Sequence, residues 1–253
     1  MSDVRFIERP EAFALSPAVT AVVAGLHRLW DLEGLLYAEG EGIYLVEEKK
    51  SVVLTAQMAE EMNAKTREEF ARLLDPFPEP PAGPADDREI IAEPDCRSIR
   101  GIGGAMKRHM IRLAAELGAD ELIVLPNVRE SILCQSNDYP PVARATAVLE
   151  AAGFAQPEGM AAIGPVEVIA ELLGPLFWIA VCNASAPYIV VGAPGMPLAG
   201  WLCKFGNVHF MAMEKRRKMT EALKRSGFRL PPDGMCDFRF SRYSGFAGRR
   251  IDI

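Results

Sequence analysis

The sequence predicts an α/β fold, a mixed sheet flanked by helices with an additional α/β segment towards the C-terminus. Three observations predict it. Residues 88–160 run in the order strand, glycine-rich segment, helix, strand, helix, for which a parallel strand pair with a right-handed crossover is the natural packing. Each helical stripe there ends on a glycine, Gly118 or Gly153, as helix C-termini commonly do. The last hundred residues hold short apolar runs and a further helix that stops at Gly227.

Taken in order, Val4 to Ile7 forms a first strand. Ser16-Pro17 starts a helix, with serine as N-cap and proline at the first helical position. Val19, Val22, Val23, Leu26 and Trp30 then mark one buried face. Ile43 to Val46 and Val52 to Thr55 read as a hairpin, and Met58 to Leu74 as an amphipathic helix. The stretch from Pro76 to Pro84 is a stiff, proline-rich connector. It divides the chain into an N-terminal part (1–75), the connector (76–87), a middle core (88–160) and a C-terminal segment (161–253).

Beyond the connector, Glu89 to Ala92 is a strand, Gly101 to Gly104 a turn and Ala105 to Leu117 a helix. Glu121 to Leu125 is a second strand and Val142 to Ala152 a second helix. No charged residue occurs from Leu172 to Cys203. Four prolines and a polar Asn183-Ala-Ser185 break that run, so it reads as two buried strands, Leu176 to Cys182 and Tyr188 to Val191, rather than a membrane span. A helix from Met213 to Ser226 follows. Ala145 to Phe154 and Met219 to Phe228 share the ending Leu-x-x-x-Gly-Phe, which fits either a degenerate duplication or a helix cap arising twice.

With 253 residues, 49% of them apolar, the chain can bury a substantial core. The net charge of −6 argues against a nucleic-acid binder, because phosphate contacts need a basic face. Two basic groups, Arg216 to Lys218 and Arg239, Arg242, Arg249 and Arg250, read as solvated faces. The N-terminus is charged and lacks an apolar targeting core. Five widely spaced cysteines contain no Cys-x-x-Cys pair, so neither a disulfide framework nor a zinc site is indicated, and reduced thiols in a cytoplasm fit best. His27, His109 and His209 share no metal spacing and read as structural or exposed; Met106, Met110, Met211 and Met213 read as core. Ser131 and Cys134 lie in a loop without a nucleophile elbow.

The segment Pro94-Asp-Cys-Arg-Ser-Ile-Arg-Gly-Ile-Gly-Gly-Ala-Met106 carries the chemistry. Glycines between a strand and a helix let backbone amides approach a ligand, and a helix start favours a phosphate. Arg97 and Arg100 add positive charge. The spacing fits neither a dinucleotide fingerprint nor a Walker A loop.

This segment resembles the GNAT superfamily of N-acyltransferases. Arg100-Gly-Ile-Gly103-Gly-Ala105 matches the family's Arg/Gln-x-x-Gly-x-Gly/Ala pattern, and a second register, with Ser98 at the Arg/Gln place, sets Gly101 and Gly103 on its glycines. Val148-Leu-Glu-Ala-Ala-Gly-Phe154 is similar to a closing motif of many members. The resemblance covers about residues 88–154. It implies acetyl-CoA or another acyl-CoA as co-substrate and no metal. Its pyrophosphate would be held by Arg97, Arg100, Gly101, Ile102, Gly103, Gly104 and Ala105. It also implies acyl transfer to a small-molecule or protein amine, with Glu89 or Glu93 as base and Tyr139 as an alternative acid. Either glutamate also fits a solvated edge carboxylate. Leu149 stands where many members carry a tyrosine, and Val142 where they carry an asparagine. Three readings follow: an active N-acyltransferase, a GNAT-like binding or regulatory protein without turnover, and an unrelated α/β interaction protein. The apolar strands near the C-terminal end also leave room for an oligomer.

Overall fold

The structure, a computed structural model, describes residues 4–46, 49–77, 88–96, 98–135, 138–155, 159–183, 186–232 and 234–236. Arg97, Asn137, Ser185, residues 78–87 of the connector and the four arginines near the C-terminus lie outside them.

The chain is α/β, and its framework is one eight-stranded sheet. In chain order the strands are β1 (Arg5–Ile7), β4 (Glu89–Pro94), β5 (Glu121–Pro126), β6 (Ala161–Pro165), β7 (Ile189–Gly192), β8 (Leu198–Leu202), β9 (Val208–Ala212) and β10 (Phe228–Arg229). The spatial order is β1-β6-β5-β7-β8-β9-β4-β10, and the pairs are antiparallel. A separate hairpin joins β2 (Gly42–Leu45) to β3 (Lys50–Val53). The large sheet takes strands from both sides of the connector.

The expected parallel pair is therefore not formed. Strands β4 and β5 are separated by β7, β8 and β9. Three apolar strands from the C-terminal third occupy the middle of the sheet and give every neighbour an antiparallel partner.

One face of the sheet carries α4 (Ile102–Leu117), α5 (Pro140–Ala151), α6 (Val166–Cys182) and α7 (Arg216–Arg225). Ile90, Leu122, Val124, Val191, Leu198, Val208 and Phe210 bury against them. The opposite face receives α2 (Pro17–His27), which packs on β7, β8 and β9 over Ile123, Val190, Ala199 and Met211. Ser16 caps α2 as expected, accepting from the Val19 amide, and Pro17 opens it. The short α1 (Arg9–Leu15) precedes it, and α3 (Ala56–Leu73) follows the hairpin.

Leu176 to Cys182 is not a strand. It is the second half of α6, a helix buried on nearly every side. An apolar run has no period when it is covered all round, so strand and buried helix look alike in sequence. Pro175 removes one helix hydrogen bond without ending the helix. The second expected strand stands as β7. Met213 is 39% exposed rather than core, because it follows the end of β9.

An inner polar tie fixes the N-terminal part. Buried Arg9 pairs with Asp75 at 2.7 Å and donates to the carbonyls of Pro126, Val128 and Gly159. His27 Nε2–H donates to the Asn127 carbonyl at 2.6 Å. His109 is also a satisfied interior ring. Its Nε2 accepts from the Asp95 amide, which leaves Nδ1–H to donate to the Ser226 carbonyl.

Candidate functional site

The glycine-rich segment is helical rather than a loop. Residues Ile99–Gly101 form one 3-10 turn that runs directly into α4 at Ile102. Gly103, Gly104 and Ala105 therefore lie inside the helix. Gly101 has φ −85°, which any residue adopts. Gly103 is required by close packing, since a Cβ there would sit 2.9 Å from the Gly174 Cα on α6. The two glycines let α4 and α6 cross backbone to backbone. Lys107 on α4 and Glu171 on α6 form an ion pair beside the crossing.

A cleft of about 770 Å3 opens next to this crossing, between the start of α4, α5 and α6. Ser98, Ile99, Arg100 and Gly103 line one side, Tyr139 and Arg144 another, and Trp178 a third. The first hydrogen bond of the turn runs from the Gly101 amide to the Ser98 carbonyl. The amides of Ile99 and Arg100 thus begin the helix without an intrahelical acceptor. Arg100 and Arg144 are exposed, and neither has a carboxylate partner among the described residues. The Tyr139 and Trp178 rings meet edge to face at 6.2 Å. This arrangement offers positive charge, a helix start and aromatic surface in one concavity, which suits an anionic ligand with a planar or apolar part.

Of the residues singled out from sequence, Arg100, Gly103 and Tyr139 line this cleft. Glu89 and Glu93 do not come near it. Strand β4 alternates, with Ile90, Ala92 and Pro94 buried and the two glutamates on the opposite side. Glu89 borders a pocket on the α2 face with Val22, Trp201 and Met211. It accepts from His209 Nδ1 at 2.7 Å. Glu93 is ion-paired with Arg229 of β10 at 2.7 Å.

A second cluster, unsuspected from sequence spacing, stands on that opposite face. Cys203, His209 and Cys236 place their ligand atoms within 4.8 Å of one another. The sequence indicated no zinc site, having no Cys-x-x-Cys pair and no metal spacing among its histidines; the fold brings two cysteines and one histidine together from separate segments. The signal was Cys203-x5-His209 across the β8–β9 turn, where the Cys203 amide bonds the Asn207 carbonyl at 2.8 Å. Burial pushes the Cys203 thiol up to about 12, so without a counter-charge it is a protonated, weak nucleophile.

Comparison with family models, curated proteins and solved structures finds no match to this chain.

Proposed function

We propose that the cleft at the start of α4 binds a phosphate-bearing ligand of the acyl-CoA class and that the protein acts as an N-acyltransferase. The observation that supports this most is the convergence of Arg100 and Arg144 on a cleft of about 770 Å3 lined also by the first residues of a helix start, Ser98 and Ile99. Phosphate oxygens accept from such groups in charge-assisted hydrogen bonds. Tyr139 and Trp178 supply surface for the adenine ring or the pantetheine arm.

In this reading the acceptor amine attacks the thioester carbonyl, the C–S bond breaks and an amide forms. The CoA sulfur takes up a proton, and the amine nitrogen releases one. Tyr139 is the sequence-named candidate that borders the cleft, and it serves as the acid at sulfur. Glu89 and Glu93 face away from the cleft, so no carboxylate from β4 serves as base. The same observation favours a second reading, in which the protein binds the CoA ligand without turning it over.

Calorimetric titration with CoA and with acetyl-CoA tests both. Micromolar binding is expected, weakened by about tenfold or more in Arg100→Ala and in Arg144→Ala. Absence of binding at millimolar ligand, from folded protein, overturns both readings. Thiol release with a panel of amines, lost in Tyr139→Phe, supports transfer; binding without release leaves the non-catalytic reading standing.

A further inference from the structure

Three segments far apart in sequence meet on the α2 face of the sheet. Cys203 follows directly on β8, and His209 lies on β9 one turn away. Cys236 is brought there by the chain that leaves β10. Glu89 stands at the start of β4, the strand beside β9. Cys236 Sγ lies 3.5 Å from Cys203 Sγ and 3.0 Å from His209 Nε2.

We propose that Cys203 Sγ, His209 Nε2 and Cys236 Sγ bind a zinc ion, with Glu89 as the residue that positions the histidine. Two thiolates and one imidazole are the donor set zinc prefers. A tetrahedral zinc with ordinary bond lengths holds its sulfurs about 3.8 Å apart and a sulfur and nitrogen about 3.6 Å apart. The present sulfur–sulfur distance would widen by about 0.3 Å and the Cys236–His209 distance by about 0.6 Å, while Cys203 and His209 already have their ligand atoms within 4.8 Å.

The surroundings fit this role. The Glu89 carboxylate accepts Nδ1–H, which leaves the Nε2 lone pair turned towards the sulfurs. That carboxylate–histidine pairing orients and strengthens a zinc ligand. Trp201 stacks on the His209 ring at 4.7 Å and fixes its plane. The sulfurs receive hydrogen bonds as well. The Phe205 amide donates to Cys203 Sγ and the Asn207 side-chain amide to Cys236 Sγ, each at 3.3 Å. A disulfide would use only the two sulfurs and would have to close them to about 2.05 Å. It gives no role to the imidazole, the carboxylate or the stacked indole.

Among the described residues the protein supplies three of the four ligands of a tetrahedral zinc. Glu89 and Trp201 also border an apolar pocket of about 180 Å3 beneath α2. The metal would thus stand beside a space suited to a small organic molecule.

The test uses the full chain, purified under reducing conditions and stripped with a chelator. Zinc alone is titrated against a chromophoric competitor, and cobalt(II) serves as a spectroscopic probe. One equivalent of zinc is expected, together with intense thiolate-to-cobalt charge-transfer bands. Cys203→Ser and Cys236→Ser should each lose about half of that band intensity or all of the binding. Glu89→Gln should keep the stoichiometry while lowering zinc affinity by about 10- to 100-fold. If a serine variant does not fold, the band intensity of the wild-type protein still counts the thiolates. The proposal is overturned if folded, reduced wild-type protein binds no zinc, if the cobalt bands lack thiolate character, or if the serine variants bind like wild type. A Cys203–Cys236 disulfide persisting in reducing buffer, seen as a mass lower by two hydrogens, overturns it too.

Discussion

The two faces of the sheet are built on different terms. On one face four helices cover the strands, and the interface is mostly apolar, with His109 as a buried polar ring within it. On the other, α2 covers β7, β8 and β9 with a smaller apolar group, and polar side chains fill the positions around it. Arg9, Asp75 and His27 form one such group, and Glu89, His209, Trp201 and the two cysteines another. A fully covered face leaves room for a ligand only between helices, which is where the cleft lies. A partly covered face can carry chemically active groups on the strands themselves.

That contrast can be broken by substitution. The largest effects are expected at one buried side chain on each face. Arg9→Met strips a buried cation from Asp75 and three carbonyls, and should destabilise the fold by about 3–5 kcal/mol, read from urea unfolding. A loss below about 1 kcal/mol would mean that Arg129, 3.4 Å from Asp75, replaces it. On the helical face, Phe177→Ala opens a cavity in a fully buried site and should cost about 3–5 kcal/mol by the same measurement.

The next pair of substitutions separates two neighbouring glycines. Gly103→Ala drives a methyl group into the α6 backbone and should cost about 1–3 kcal/mol. Gly104→Ala meets only the end of the Arg108 side chain at 3.4 Å and should stabilise by about 1 kcal/mol through helix propensity. Thermal unfolding of both variants should show shifts of opposite sign.

The smallest effect is a pH dependence, to which each face contributes one histidine. Burial holds His27 and His109 below the ordinary value of 6.5. The unfolded chain then takes up more protons on acidification than the folded chain does. Their contribution is full above pH 6.5 and falls as the pH drops from 6.5 towards the lower folded-state values. Urea midpoints measured from pH 7.5 down to about pH 5 should decline, and His109→Gln should flatten part of that slope.

Elements with local signals were legible in the sequence. Ser16-Pro17 announces α2, and Gly118, with φ +73°, ends α4 as its position implied. What depends on long-range pairing was not legible. Nothing local in Glu89 to Pro94 or Glu121 to Pro126 tells that β7, β8 and β9 come between them. The uniform apolarity of Leu172 to Cys182 hid the second part of a helix. The glycines at 103 and 104 suggested a turn, because sequence cannot distinguish a glycine needed for φ from one needed for close approach. The side of β4 that faces the cleft, and with it the place of Glu89 and Glu93, depended on the whole sheet. The cysteine–histidine cluster required a hairpin register and the path of the chain beyond β10 to be known together.

The meeting of Gly103 and Gly174 restricts how this chain can vary. An overfilled contact in a protein interior is ordinarily relieved by shrinking the residue opposite. Here both partners already have the smallest side chain, so a gain in size on either helix has no compensating loss on the other. The two positions form a contact that can only be loosened, by moving α4 away from α6. Because the cleft opens beside that contact, any such loosening would reshape its floor before it altered a single polar group within it.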